Sequence, residues 1–274
     1  MPLVRRPPVL QSVYRVTSEM IRRWQMPTEL IQPDRAVFRA SDRKYLEYFV
    51  SQGRRIVNRK AANQCLVIRD QNLDVNRFTG QSLSAGVPSS GGLYCSLQAP
   101  ALVNELVHYA RGDSRVGRSG RTGFPLTQDV LQPKFIAKIR LMSSVLAADL
   151  SPHNPGARQF VEAIGNSGEF QAALQTRVAR ESALSERPIW EQLYDGEDCS
   201  VARGIGLAVA HSGSLRALVA RTARPSPRMP EETGDNLVFF GNGGPIPGLW
   251  IEEVYAFPPG DRPAIFPVEF TGTP

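Results

Sequence analysis

Cysteine is scarce in this 274-residue chain, which has only Cys65, Cys95 and Cys199, far apart in the sequence. Three widely spaced thiols argue against a disulfide framework and against a zinc site, and they suit a reducing compartment. The sequence also lacks an apolar run long enough to cross a bilayer, and its basic N-terminus lacks the apolar stretch of a secretory signal. We therefore predict no membrane partner and a cytoplasmic site of action, with delivery into a target cell left open.

Motifs for metal and hydrolase chemistry are missing as well. His108, His153 and His211 are scattered, and none has metal-ligand spacing to a cysteine or a carboxylate, so no metal is predicted. The residues around His211 do not form a strand, Gly-x-Ser-x-Gly turn and helix, which argues against a hydrolase triad. The glycines of 241–244 are followed by prolines and not by a helix, which argues against a Rossmann phosphate loop.

What the sequence does have is positive charge. Its 32 basic and 26 acidic side chains give a net charge of +6 and a pI of about 9.5. An anionic partner fits this balance. The arginines are scattered and do not alternate with aromatic residues, so the pattern disfavours nucleic acid as that partner.

The order of predicted elements favours an α+β fold in one main domain. We divide the chain into an N-terminal extension (1–35), the main domain with insertions (36–257) and an extended tail (258–274). Strands are predicted at 11–16, 36–40, 65–69, 135–141, 145–150, 215–219, 236–240 and 249–257, and helices at 44–52, from about Pro100, 157–164, 170–182 and 200–211.

The most informative stretch is 93–109, which is typical of a strand, a short turn and a helix. In that helix Leu102, Glu105, Leu106 and Tyr109 share one face because they stand at i, i+3, i+4 and i+7. Three of these positions are apolar, so the carboxylate stands where the pattern requires core. Such a glutamate must be paired, have a raised pKa, or face a cavity, and Glu105 is therefore a candidate site residue.

Several segments support a family resemblance when they are taken together. Glu105 follows Tyr94 by 11 residues, Arg77 opens a glycine-containing loop before that strand, and an apolar run covers 145–150. The strand ending 218–224 then precedes the apolar strand 236–240. In this order, over roughly residues 36–241, the segments resemble the RES domain family, named for its arginine, glutamate and serine.

The resemblance implies a fold, an activity and a partner. The fold would be ADP-ribosyltransferase-like, with small split β-sheets and flanking helices. The activity would be that of an NAD+ glycohydrolase, a hydrolase acting as a bacterial toxin that has NAD as its substrate and needs no further cofactor. A neutralising antitoxin or immunity protein would be its partner.

The resemblance also implies a role for individual residues in binding and splitting NAD. Arginine forks match phosphate oxygens, a tyrosine ring stacks on nicotinamide, and a carboxylate opposes the charge that develops on the ribose. Thr222 stands where the family has serine, and Arg15 is the alternative to Arg39. The implied set is Arg39 on phosphate, Arg77 at the pocket mouth, Tyr94 stacking on nicotinamide, Glu105 on the ribose, Thr222 orienting the ribose, and Ser96 as a further NAD contact.

Two other functions remain open from the sequence. An ADP-ribosyltransferase would pass the sugar to a macromolecule instead of water. Arginine-modifying transferases of the cholera type carry a pair of acidic residues just upstream of a stretch that resembles 243–247 of this chain. The strand 236–240 contains no glutamate, which argues against an enzyme of that type. A non-catalytic basic module would bind nucleic acid or a protein and leave NAD untouched, with an affinity that falls steeply with salt.

Overall fold

A mixed α+β architecture built on one large, mostly antiparallel sheet confirms the predicted fold class. The computed structural model describes residues 9–23, 25–42, 56–57, 63–68, 77–80, 86–103, 134–178, 188–194, 199–221, 234–256, 264–267 and 269–270. The helices of this part of the chain are α1 (Val9–Arg22), α2 (Pro155–Gly165), α3 (Gly168–Val178), α4 (Ile189–Tyr194) and α5 (Ser200–Ala210), with a 3-10 turn at Asn63–Leu66 and a helical turn over 99–103.

The strands fall into one large sheet and two small ones. The order in the nine-stranded sheet is β1-β7-β8-β9-β5-β2-β6-β11-β12. The strands are β1 (Thr28–Ile31), β2 (Val37–Asp42), β3 (Ile56–Val57), β4 (Val67–Ile68), β5 (Gly91–Ser96), β6 (Lys134–Leu141), β7 (Val145–Asp149), β8 (Ala217–Arg221), β9 (Asp235–Gly241), β10 (Gly244–Pro245), β11 (Leu249–Ala256), β12 (Ala264–Pro267) and β13 (Glu269–Phe270).

Within the large sheet, β7 and β8 are the parallel pair. Parallel neighbours need a long crossover, and the helices α2 to α5 supply it. Each face of the sheet covers its own hydrophobic core. Successive strand residues point to opposite faces, so Leu93 and Cys95 of β5 enter one core while Tyr94 packs against the other, which contains the helices.

The large sheet is joined at its middle by a single residue pair. β2 pairs with β6 over six residues and β5 pairs with β9 over six, but β2 pairs with β5 only at Phe38 and Ser96. We call this junction the seam. It separates a first panel (β1, β7, β8, β9, β5) from a second panel (β2, β6, β11, β12).

Most elements predicted for the main domain are present, and the bounds of β2, β6, β7, β9, β11, α2 and α5 differ from the predicted ones by at most two residues. The strand predicted at 11–16 is wrong, because these residues belong to α1. Residues 9–31 of the predicted extension thus supply a helix and an edge strand of the large sheet. The helix predicted at 44–52 lies outside the described residues.

α1 is a helix because its apolar side chains recur at helical spacing and find a close partner. Val9 and Val13 are buried on the face that meets α5. A Cβ atom added at Gly204 of α5 would come within 2.8 Å of the Val13 Cβ atom. This close approach overrides the strand preference of the β-branched residues in the segment. Among the described residues, no helix is both long and apolar enough to cross a membrane.

Candidate functional site

Tyr94 is anchored at the middle of β5, on the face of the sheet that packs against the helices. Its side chain is half-buried, and its hydroxyl accepts a hydrogen bond of 2.7 Å from the backbone N–H of Phe78. The carbonyl group of Phe78 lies against α5, where a Cβ atom added at Gly206 would come within 2.1 Å of the Phe78 carbonyl oxygen. Tyr94 and α5 therefore hold the 77–80 segment between them.

Arg77 closes the end of a helix. Its Nη1 donates to the carbonyl of Leu193 at 2.9 Å and also to the carbonyl of Tyr194, the last two residues of α4. Carbonyls at a helix C-terminus lack partners within the helix and carry partial negative charge, so a guanidinium there is stabilising. The Nη1 group of Arg77 is thus bound to the end of α4.

Arg39 crosses the seam. Its Nη1 donates to the Tyr94 carbonyl at 2.9 Å, while its Nε is buried without a hydrogen-bond partner. Residues two apart on a strand share a face, so the Arg39 side chain lies on the Val37 side of the sheet, with Cys65 and Cys95. The Tyr94 ring lies on the opposite side. The structure joins the two residues through the backbone and separates their side chains.

The thiols beside Arg39 are kept protonated. Burial raises the pKa of Cys65 to about 11 and that of Cys95 to about 12, and the positive charge of Arg39 offsets this only in part. A protonated thiol is a poor nucleophile. The chemistry available on this side of the sheet is therefore the charge of Arg39, which has no carboxylate partner among the described residues.

Ser96 ends β5 and starts the helical turn over 99–103. Its hydroxyl is buried, donates to the Gln98 carbonyl at 2.9 Å and accepts from the Gln98 N–H at 3.3 Å. The Gln98 side-chain oxygen in turn accepts from the Asp235 N–H at 2.8 Å, which ties this turn to the start of β9. The turn confirms the predicted helix start near Pro100.

The remaining predicted residues are not placed together with these. Glu105 and Thr222 lie outside the described residues, which end at Val103 and Arg221 on either side of the site. Arg15, the alternative to Arg39, lies on α1, is 61% exposed, and forms an ion pair of 3.4 Å with Glu169 of α3.

A group of polar residues lies at one edge of the first panel, and sequence reasoning had singled out only Ser96 among them. We call Ser96, Asp149, Tyr194, Arg221 and Asp235 the polar edge. The strand register aligns Asp149 with Val219, Arg221 with Asp235, and Ser96 with Asn236, so the ends of β5, β7 and β8 meet the start of β9. The sequence did offer one indication of this group: Asp149 is the last residue of an apolar strand and Asp235 is the first residue of another.

Two members of the polar edge are satisfied within the protein. Asp149 is buried, and its oxygens accept from the Ser151 N–H at 2.7 Å and from the Asn154 side-chain amide at 2.8 Å. The Tyr194 hydroxyl donates to the Leu150 carbonyl at 2.6 Å, and burial raises the pKa of this phenol.

Asp235 is the member of the polar edge whose carboxyl group still has an oxygen without a hydrogen-bond partner in the described structure. Burial raises the pKa of its carboxyl, and the neighbouring His153 lowers it in part. Its Oδ1 is buried and has no hydrogen-bond partner in the described structure. A carboxyl group in such a place holds a proton more readily than an exposed aspartate.

The described residues offer no metal site, and the comparisons with known proteins give no further information on this group of residues. Within the described ranges, no group of three or more His, Cys, Asp or Glu side chains is arranged to hold a metal ion. Comparison with family models, with curated proteins and with solved structures finds no match for the chain.

Proposed function

We propose that this protein is an NAD+ glycohydrolase. The observation that carries the proposal is Arg39, a half-buried guanidinium at the seam with an unpaired Nε and no carboxylate partner among the described residues. Withdrawing a charge from water without a counter-charge is costly. An anionic ligand offsets that cost, and the planar fork of arginine matches the oxygens of a diphosphate.

The topology supports the placement of the other site residues. The register links Ser96 to Asn236 and Asn236 to Ala220, across three neighbouring strands. In the sequence, Glu105 follows the helical turn over 99–103 by two residues and Thr222 directly follows Arg221. We propose that the carboxylate of Glu105 and the hydroxyl of Thr222 bind the nicotinamide ribose.

The two panels support the finer fold assignment. A split sheet is part of the ADP-ribosyltransferase-like fold that we propose. The proposal is supported by the β2–β5 junction, where one residue pair joins the two panels of the nine-stranded sheet. Under this assignment Arg39 comes from one panel and Ser96 from the other. The Tyr94 ring lies on the opposite face of the sheet from Arg39, so the role of stacking on nicotinamide is not assigned to it.

The proposed reaction needs few groups. The bond between the ribose C1′ and the nicotinamide nitrogen breaks, and its electron pair leaves with neutral nicotinamide. Glu105 opposes the positive charge on the resulting oxocarbenium-like sugar, which lowers the barrier because this charge is greatest in the transition state. Water then bonds to C1′ and loses a proton, giving ADP-ribose.

Incubation of the purified chain with NAD+ tests the proposal. We expect nicotinamide and ADP-ribose in equal amounts by chromatography, and a loss of at least about 100-fold in rate in Glu105→Gln and in Arg39→Gln. Arg158→Gln, an exposed residue paired with Glu162 on α2, is the matched control and should retain full activity.

Two results would decide against hydrolysis, and a third against the role of Glu105. Nicotinamide released without free ADP-ribose, together with a mass adduct on an added macromolecule, would show transfer in place of hydrolysis. Unchanged NAD+ would refute both activities. Full activity in Glu105→Gln would refute the assigned role of that carboxylate.

A further inference from the structure

A cavity lies away from the proposed NAD site. It is a cleft of about 870 Å³ between α1, the β1–β7 edge of the sheet and the end of α5, with the 212–215 segment at one side. Ligand pockets in proteins commonly measure about 300–1,000 Å³. Arg39, Arg77, Tyr94 and Ser96 do not line it. We call it the α1 cleft.

The floor of the α1 cleft is apolar. Met26 and Leu215 are buried beneath it, and Leu146 of β7 contributes a side chain that is 39% exposed. Leu30, the cross-strand partner of Leu146, is 51% exposed and extends the apolar surface to the edge strand. Leu30 and Leu146 together leave an apolar pair in contact with water beside the cleft.

Among the charged side chains on the rim of the cleft, one arginine has no acidic partner in the described residues. The two acidic residues that line the cleft are neutralised, since Glu19 binds Arg23 at 2.5 Å and Glu169 binds Arg15 at 3.4 Å. Arg22 donates from Nε to the Ser18 carbonyl of its own helix at 3.3 Å and has no carboxylate partner in the described residues. The α1 cleft therefore presents a single unneutralised guanidinium above an apolar floor.

We infer that the α1 cleft binds an amphipathic anion, with a carboxylate or similar head on Arg22 and an aliphatic body over Leu146. An inorganic anion would leave the apolar floor in water, and a neutral apolar molecule would desolvate Arg22 without compensation. The hydroxyls of Ser18, Ser212 and Ser214 also line the cleft and can donate to the same head group.

Calorimetric titration with decanoate, decan-1-ol and acetate tests this inference. We expect saturable one-to-one binding of decanoate with a Kd below about 1 mM, and binding of the alcohol and of acetate at least about tenfold weaker. Arg22→Gln should weaken decanoate about tenfold, because a charged hydrogen bond is lost. Leu146→Asn should weaken decanoate and leave acetate unchanged.

The control and the opposing outcomes are defined by the same titration. Arg158→Gln, at an exposed ion pair on α2, should bind decanoate like the original chain. Thermal unfolding of each variant shows that it folds. No saturation by about 1 mM decanoate, equal binding of decan-1-ol, or an unchanged Kd in Arg22→Gln would each overturn the inference. None of these outcomes depends on NAD+ turnover.

Discussion

The parallel strands β7 and β8 connect two regions of opposite character. At their C-terminal ends lies the polar edge, where the Asp149 and Tyr194 side chains are bonded within the protein. At their beginnings lies the α1 cleft, where Leu146 is partly exposed and Arg22 has no counter-ion among the described residues. At the polar edge, Asp149 and Tyr194 thus hold the fold together through internal hydrogen bonds, whereas Arg22 at the α1 cleft lacks a counter-charge among the described residues.

The largest effect on stability is expected at the polar edge, from Asp149→Ala. This change leaves the Ser151 N–H and the Asn154 amide without their acceptor, and Asn154 is the residue that caps α2. We expect the free energy of unfolding to fall by about 3 kcal/mol, measured by urea denaturation. Asp149→Asn retains one acceptor and should cost about half as much. A loss below about 0.5 kcal/mol in Asp149→Ala would remove the distinction between the two regions.

A smaller and pH-dependent effect is expected from Asp235→Asn. Burial raises the pKa of the folded-state carboxyl above its ordinary value of 3.8, so between these two pKa values the folded protein binds more protons than the unfolded chain. Asp235 therefore contributes its whole stabilising free energy at a pH below the pKa it has in the unfolded chain. This contribution is lost as the pH rises through the higher pKa it has in the folded protein. Asp235→Asn should therefore unfold at a higher temperature than the original chain at neutral pH.

The control for this prediction is the same pair of proteins at acid pH. At a pH well below 3.8, Asp235 of the original chain is neutral in both states, so the difference in Tm should vanish. A difference in Tm that is independent of pH would show that the substitution acts through packing and not through the charge.

The smallest effect is expected at the α1 cleft, from Arg15→Gln. The arginine is 61% exposed in its ion pair with Glu169, and exposed pairs contribute little because water and salt screen them. We expect a change in the free energy of unfolding of at most about 0.5 kcal/mol. A cost as large as that of Asp149→Ala would contradict the view that this region is built for binding.

Local patterns predicted much of the sheet but only part of the site. β6 was predicted from its apolar alternation, and its core-facing residues Phe135, Ala137 and Ile139 are buried. α1 was misread because Val13 and Val16 favour strands when only their neighbours are considered. α4 has six residues, too few for a helical period to be recognised.

The arrangement of the site could not be predicted, because it depends on contacts between distant parts of the chain. The Arg39–Tyr94 bond spans 55 residues and the Asp235–Gln98 bond spans 137. Sequence spacing indicated which residue types were present on each strand. The order β9-β5-β2, and with it the opposite sides taken by Arg39 and the Tyr94 ring, follows from packing of the whole sheet.

The seam has a mechanical consequence. Pulling β2 away from β5 works against one ladder pair and the Arg39–Tyr94 bond, whereas separating β2 from β6 works against six pairs. Under force applied across the sheet, we expect the panels to part at this line before either one loses its internal pairing. The hydrogen bond from Arg39 to the Tyr94 carbonyl would resist this separation. Substitution of Arg39 should therefore lower the force needed to separate the panels when the chain is pulled through attachment points in β2 and β5.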